Sequence, residues 1–471
     1  MSVPKHIQGA GRPVAGAARP RLELIAALAL ACAAPACAPS APADAGDAPA
    51  PGAEPRADLV LILIDTLRPD HLQPYGYEAP TSPFLARLAD RAVVFERAFS
   101  TSSWTAPATA SVFTGLYPNE HGVVAGFRAQ RHLDEALEER LQLVALPADR
   151  ATLPELLADA GYATFGLASN INVGSELGFD RGFEQFERLH RAPAAEIVER
   201  VLAWRAQLDP ERPYFLYLHL NDVHMPYEGR PEFGYEPGAE GLENQIAAYD
   251  SEIRYLDHWL GELDRGMGWA AGRDTFLMLV SDHGEEFLEH GAVGHRFSLH
   301  AEVNDVLMMV AAPGAAAGAR VGANASLVDV LPTLLDAAGL EPPPGLAGRS
   351  LAPLLAAPAA ELGERALFAH RVRGKSERPL DERRALWAIV SGPWKLLLDE
   401  TDGSARLYDT AADPGETEDL AAARPELVER LRAELETFRS ETVLHAGSEV
   451  EVLVDQELLE HLRELGYAGQ E

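Results

Sequence analysis

Residues Asp58–Tyr77 read DLVLILIDTLRPDHLQPYGY, and the apolar run Leu59–Ile64 ends directly on Asp65. An apolar run without alternation marks a strand buried on both faces, as in a parallel sheet covered by helices. A strand with one wet face would alternate. Working outward, Tyr162–Ala168, Tyr214–Leu220, Thr275–Val280 and Val306–Ala311 repeat that texture. Helical patterns lie between them. Thr152-Leu153-Pro154-Glu155 is a capping box with Pro inside the first turn, and Gly161 closes that helix. Ile197, Val201, Trp204 and Leu208 form an apolar stripe at helical spacing, as do Ile246, Tyr249, Ile253, Leu256, Leu260 and Leu263. Strand and helix in repetition predict an α/β fold, with a mixed, mostly parallel sheet between helices.

The chain divides around that body. Residues 58–364 carry the large α/β domain. From about residue 365 the texture changes: Ala366–Val372, Ala385–Val390 and Trp394–Leu398 read as strands of a smaller antiparallel sheet, followed by a helix at Pro425–Phe438. Residues 365–445 are therefore expected to form a small C-terminal α+β subdomain, and 446–471 a helical tail around Val452–Leu465.

At the other end, residues 1–37 read as an export leader. Lys5, Arg12, Arg19 and Arg21 precede the apolar run Leu24–Ala36, whose 13 residues are too few to span a bilayer as a helix. Small residues before Cys32 and Cys37 resemble a bacterial lipoprotein cleavage site; plain secretion and an uncleaved anchor are the alternatives. Residues 38–57, rich in Ala and Pro, are a tether. The expected location is the periplasm or cell envelope, with contact to a membrane only through an N-terminal lipid anchor. The chain has 471 residues, with 72 Asp and Glu against 40 Lys and Arg, a net charge of −32. So acidic a surface repels phosphate backbones, and nucleic acid is not an expected partner. Cys32 and Cys37 are the only cysteines, so none downstream can serve as nucleophile or metal ligand.

Ligands of open α/β sheets sit at the carboxyl ends of strands. Asp65 follows Leu59–Ile64, and Asp282 and His283 follow Thr275–Val280 after one Ser. Two carboxylates and an imidazole at one edge suit a divalent cation with an open position. Asp-Thr and Asp-His-Gly are also ordinary turn and cap sequences. In Thr101–Gly115, TSSWTAPATASVFTG, Pro107 favours a first helical turn and puts Thr105 at or next to the N-cap. There its hydroxyl either caps the helix or, beside a cation, becomes a nucleophile at a ready oxyanion seat. His219 and His224 follow one strand, and His290, His295 and His300 cluster after Asp282. Imidazoles in such places can donate to an oxyanion or protonate a leaving group.

These segments resemble the sulfatase family of the alkaline phosphatase superfamily, over nearly all of residues 58–467. The matching stretches include LILIDTLRPDHLQPYGY, TSPFLARLADRAVVFERAFS, WTAPATASVFTGLYPNEHGV, FDRGFEQF, LHLNDVHMPY and AAYDSEIRYLDHWLGEL. VSDHGEEFLEHGAVGH, LVDVLPTLLDAAG, GPWKLLL, LYDTAADPGETEDL and LRELGY follow in the family's order. The resemblance implies an alkaline-phosphatase-like fold and a divalent metal held at Asp65, Asp282 and His283. It implies a catalytic nucleophile at Thr105, which also faces the metal, and His224 and His295 contacting the ester or leaving group.

Departures from the family pattern carry equal weight. Sulfatases use a Cys or Ser converted to formylglycine, whereas Thr105 cannot be so oxidised, and no formylglycine is expected. Thr109 stands where the motif has Arg, and ATFGLASN where it has a Lys and His segment. Asp282-His283 replaces the usual Asp-Asn, which favours Zn²⁺ or Mn²⁺, with Ca²⁺ or Mg²⁺ as alternatives. A second metal at Asp222, His224 and His370 is conceivable, but their spacing fits poorly, so one is expected. The expected activity is metal-dependent hydrolysis or transfer of a phosphodiester or phosphonate-type ester through Thr105. The alternatives are a sulfuric ester hydrolase and a catalytically degenerate envelope scaffold. The substrate is expected to be a small or envelope-derived anionic ester.

Overall fold

In the computed structural model the run quoted first is strand β1 (Asp58–Ile64), buried at every position. Described residues are 56–460, apart from 125, 128–139, 237, 239, 270–273, 296, 374–383, 443–446, 454–455 and 457–458. The leader, both cysteines, nearly all of the tether and the LRELGY end lie outside them. With β2 (Val93–Phe95), β3 (Ala163–Ala168), β4 (Gln185–Arg188), β5 (Tyr214–Leu220), β6 (Thr275–Ser281), β7 (Met308–Ala311) and β8 (Arg320–Val321), β1 forms one sheet. The order is β8-β2-β7-β6-β1-β5-β3-β4. All neighbours are parallel except those of β7, which runs against β6 and β2.

Burial on both sides explains the lack of alternation in β1. Leu59, Leu61 and Leu63 enter one core with helices α2 (Thr105–Thr114), α3 (Leu153–Asp159) and α6 (Val330–Ala337). Val60, Ile62 and Ile64 enter the other, with α1 (Pro83–Ala89), α4 (Ala194–Trp204) and α5 (Leu242–Met267). Each buried aliphatic side chain contributes roughly 1.5–3 kcal/mol through burial. The capping box of α3 forms as read, with Thr152 N–H donating to Glu155 Oε2 at 2.9 Å.

A second sheet, β9 (Ala366–Arg373), β10 (Arg384–Ser391), β11 (Trp394–Asp399) and β12 (Ala405–Asp409), is antiparallel in sequence order. Helix α7 (Pro425–Glu441) packs Leu431 and Leu435 against its Leu396 and Leu407. The sequence reading missed β12. It also expected a helical tail, but the tail opens with a strand, Ser448–Leu453, paired antiparallel to Arg140–Ala145. SEVEVL alternates with a period of two, which suits a strand once a partner is available.

Lys395 of β11 is wholly buried. Its Nζ lies 2.7 Å from Glu416 Oε1, and Glu416 Oε2 meets His300 Nδ1 at 2.9 Å. This triad fastens the small sheet to the segment that follows His295. Removing one charge of such a buried pair strands the other in low dielectric. Glu416→Gln should therefore lower the unfolding free energy by about 3–5 kcal/mol, measured by urea denaturation of the full chain.

Candidate active site

Strand register assembles the site. Ile64 is level with Leu220 and with Ser281, so Asp65, Asn221 and Asp282 leave β1, β5 and β6 side by side. Asp65 N–H donates to Leu220 O at 2.9 Å, which holds the chain at the edge after β1 ends. Thr66 then turns with φ 54°, a left-handed conformation that is costly for a β-branched residue. It is over-determined: Thr66 N–H donates to Asp282 Oδ1 (3.2 Å), its hydroxyl to Val223 O (2.9 Å), and its carbonyl accepts from the Tyr249 hydroxyl (2.7 Å). Strain held in place by three partners fixes the Asp65 side chain. Gly284 is also constrained, since a Cβ there would sit 2.1 Å from the Glu302 carbonyl oxygen.

Asp65, Asp282 and His283 each offer an atom to one cluster whose members lie within 4.8 Å of one another, all buried. His283 Nε2 is 3.7 Å from Asp65 Oδ1 and 3.5 Å from Asp282 Oδ2. None of these three atoms makes a hydrogen bond. Their other atoms are anchored: Asp282 Oδ1 accepts His283 N–H at 2.8 Å, and His283 Nδ1 lies 3.0 Å from Gly284 O. Convergent, buried and unsatisfied, this set fits a divalent cation, since uncompensated polar atoms are otherwise expensive inside a protein. Burial, then the neighbouring Asp282, pushes Asp65 well above the usual carboxylate range. Burial likewise raises Asp282 to about 8 and lowers His283.

Thr105 is the first residue of α2, just after the N-cap Trp104, and its hydroxyl reaches Asp65 Oδ2 at 3.4 Å. The sequence-selected Asp65, Thr105, Asp282 and His283 thus meet at one place. His295 and His224 stand beside them. The His295 ring centroid is 4.6 Å from that of His283 and 5.2 Å from that of His224. His224 Nδ1 lies 2.5 Å from Met225 O, which turns its Nε2 the other way.

The remaining histidines offer no atom to the cluster, although His219 lies near enough to His283 and His224 to feel their charge. His219 is fully buried, makes no hydrogen bond through either ring nitrogen, and is lowered to about 3 chiefly by burial. His290 and His300 stack on each other at 3.6 Å beside the Lys395–Glu416 pair. His370 stacks on Trp387 in the small sheet, and among the described residues no second group of three ligand side chains converges as for a metal ion.

Sequence reasoning missed two asparagines. Asn170, at the end of ATFGLASN, donates from Nδ2 to Asp65 Oδ2 (2.5 Å) and to Asn221 Oδ1 (2.9 Å). Its position two residues past β3 was the available signal, because that strand ends at the same edge. Among the described residues no Lys or Arg is hydrogen-bonded or ion-paired to Asp65, Thr105, Asp282 or His283.

A mixed α/β sheet with acids, an imidazole and a helix-start hydroxyl at its carboxyl edge defines an alkaline-phosphatase-like ester hydrolase. The family model for Sulfatase matches residues 57–340, and that for N-sulphoglucosamine sulphohydrolase, C-terminal, matches 288–441. The chain belongs to the sulfatase family. Arylsulfatase K of Xenopus laevis is 22% identical over 469 residues, 82% of each chain. Human N-sulphoglucosamine sulphohydrolase is 24% identical, over 78% of this chain and 87% of that one. The phosphonate monoester hydrolase of Agrobacterium radiobacter superposes with a TM-score of 0.67 at 20% identity, over 82% of this chain and 96% of that one.

Raised carboxyl groups give a sign to the pH dependence of the metal-free protein. Asp282 keeps its proton in the fold up to about pH 8, whereas the unfolded chain releases it near the ordinary value of 3.8. Between those limits the unfolded state binds fewer protons, so this contribution to stability is lost as pH rises. A metal reverses the trend, because it binds the deprotonated form. The stability gap between metal-loaded and chelator-treated protein should therefore widen from pH 5 to pH 8 in thermal unfolding.

Proposed function

We propose that this sulfatase-family hydrolase cleaves phosphodiester or phosphonate-type esters through Thr105, with one divalent cation at Asp65, Asp282 and His283. The observation that carries the proposal is Thr105 at the start of α2, hydrogen-bonded to Asp65 at the edge of the unsatisfied cluster. A divalent cation bound there supplies positive charge to the Thr105 oxygen and to a nonbridging oxygen of the ester. With two oxygen donors, one imidazole and the Thr105 hydroxyl, Zn²⁺ or Mn²⁺ suits the set better than Ca²⁺.

The chain's own groups supply the rest. The Thr105 hydroxyl proton moves toward Asp65 Oδ2 as Oγ1 bonds to phosphorus. The bond from phosphorus to the leaving oxygen breaks, and that oxygen takes a proton from Nε2 of His295 or His224. Water then attacks the phosphorus, giving a proton to that same histidine, and releases Oγ1, which regains its proton from Asp65. Backbone N–H groups at the start of α2 offer neutral donors to the oxyanion, and the Asn170 amide holds Asp65 Oδ2 in place.

Two carboxylates offset the two charges of the cation, and among the described residues no Lys or Arg pairs with the cluster, so the described site suits a singly charged ester better than a dianionic monoester. Beside His224 a cavity of about 190 Å³, lined by Arg191, Asp222, Arg230 and Glu252 among others, provides room for the leaving group.

A second reading, hydrolysis of sulfuric esters, is favoured by the sulfatase relatives. A sulfate monoester is also singly charged, so charge alone does not separate the two; the missing formylglycine does. With Mn²⁺ or Zn²⁺, the protein should turn over bis(4-nitrophenyl) phosphate in preference to 4-nitrophenyl sulfate. Thr105→Ala should lower diester turnover by roughly 10³-fold or more. Preferential sulfate turnover, persisting in Thr105→Ala, would establish the second reading.

We place the protein in the periplasm or cell envelope, anchored by a lipid on Cys32 or Cys37. The basic residues before Leu24–Ala36 and the small residues before each cysteine support this. Among the described residues no helix is long and apolar enough to cross a membrane. Replacing both cysteines with Ser should move the protein from the membrane pellet to the soluble fraction; an unchanged pellet would refute lipidation.

A further inference from the structure

His295 is held by a carboxylate that the reaction scheme above does not use. Glu285 is almost wholly buried, and its Oε1 lies 3.2 Å from His295 Nδ1. The other oxygen, Oε2, accepts a short hydrogen bond from the Tyr227 hydroxyl. With the Tyr227 hydroxyl donating to Oε2, Glu285 Oε1 is placed to accept from Nδ1–H of His295. That leaves Nε2 as the nitrogen that exchanges a proton with substrate.

The surroundings restrict the ring further. Trp104, which immediately precedes Thr105, meets His295 edge-on at 5.6 Å and 88°. His283 and His224 lie against the same ring. Glu285 itself is placed by the sequence around it. Arg68 Nη1 donates to the Glu285 carbonyl at 3.0 Å, and Gly284 N–H donates to Val303 O at 2.9 Å. The short turn after β6 therefore delivers Asp282 and His283 to the cluster, and Glu285 to the histidine behind it.

We propose that Glu285 is a positioning residue: it keeps a hydrogen on Nδ1 of His295, so that Nε2 faces the leaving oxygen and carries the second proton, the one that is transferred, and Tyr227 fixes which carboxylate oxygen does so. The proposal rests on the leaving-group role given to His295 above. It follows the logic by which a buried acid orients a catalytic imidazole without itself taking the proton. Tyr227 gives the arrangement its polarity. In Glu285→Gln, the Tyr227 hydroxyl would hold the amide oxygen, and the amide NH₂ would face His295 Nδ1, which can accept it only in the neutral ring, a far weaker acid toward the leaving oxygen.

The test compares two diesters that differ in need for a proton. Nitrophenolate departs unaided from bis(4-nitrophenyl) phosphate, whereas phenolate leaving from diphenyl phosphate benefits from one. Glu285→Gln should lower kcat on diphenyl phosphate by about 10- to 100-fold, with KM nearly unchanged and only a small loss on the nitrophenyl ester. Adding Tyr227→Phe should partly restore the rate, because the amide can then turn. A residue that only supported the fold would lower both substrates together, and that result overturns the proposal. So does an unchanged rate on both.

His295→Ala is the control for the underlying reading. If it shows no leaving-group selectivity, the role of His295 is wrong. If it is selective and Glu285→Gln is not, only the Glu285 proposal falls. Nitrogen-15 spectra of histidine-labelled full-length protein give an independent readout. The His295 signals should report Nδ1–H in the parent and lose that pattern in Glu285→Gln; an unchanged pattern contradicts the proposal.

Discussion

Everything at the site depends on placing two carboxylates and an imidazole together, out of water, with three of their atoms left without hydrogen bonds. Such an arrangement opposes folding unless a cation fills it. The rest of the molecule makes the placement rigid. Two apolar cores clamp β1 from both faces, the sheet register aligns Asp65 with Asp282, and the strained Thr66 is pinned by three partners. An edge held this firmly can keep unsatisfied ligands apart from the water and backbone groups that would otherwise neutralise them.

Much of this was legible because the signals are local. Leu59–Ile64 announces a buried parallel strand, strand ends mark the ligand edge, and Thr105 before Pro107 marks a helix start. Asn170 and Glu285 were not legible in the same way. Asn170 matters because β5 lies between β1 and β3, an order that no window of sequence contains. Glu285 matters because Tyr227, from another strand's loop, shares its carboxylate. The C-terminal strand was misread for the same reason, as its partner lies about 300 residues earlier in the chain. Lys395 was invisible as a core residue because long charged side chains seldom lie wholly buried; its partner Glu416 follows in a later loop.

The chemistry differs from what the family name suggests in its choice of donors. Asn170 donates to Asp65, the carboxylate that Thr105 reaches, and to Asn221, while the cationic side chains Arg191 and Arg230 line the cavity beside His224. In the reaction proposed above, positive charge at the reacting oxygens would come from the cation, and recognition of the remainder of the ester would fall to that cavity. Histidines on two separate loops meet beside the cluster, with a buried carboxylate at Nδ1 of His295 and a backbone carbonyl at Nδ1 of His224. Such a division leaves the surface free to be strongly acidic without repelling the substrate at the point of reaction.

The central claim is that Thr105 forms a covalent bond to phosphorus. Rapid acid quench of metal-loaded protein with bis(4-nitrophenyl) phosphate, followed by peptide mass mapping, tests it most directly. A nitrophenylphosphoryl or phosphoryl adduct on the peptide containing Thr105, formed before the steady state and absent from chelator-treated protein, is the predicted result. An adduct on a different residue, or a burst of nitrophenolate with Thr105 unmodified, would contradict it.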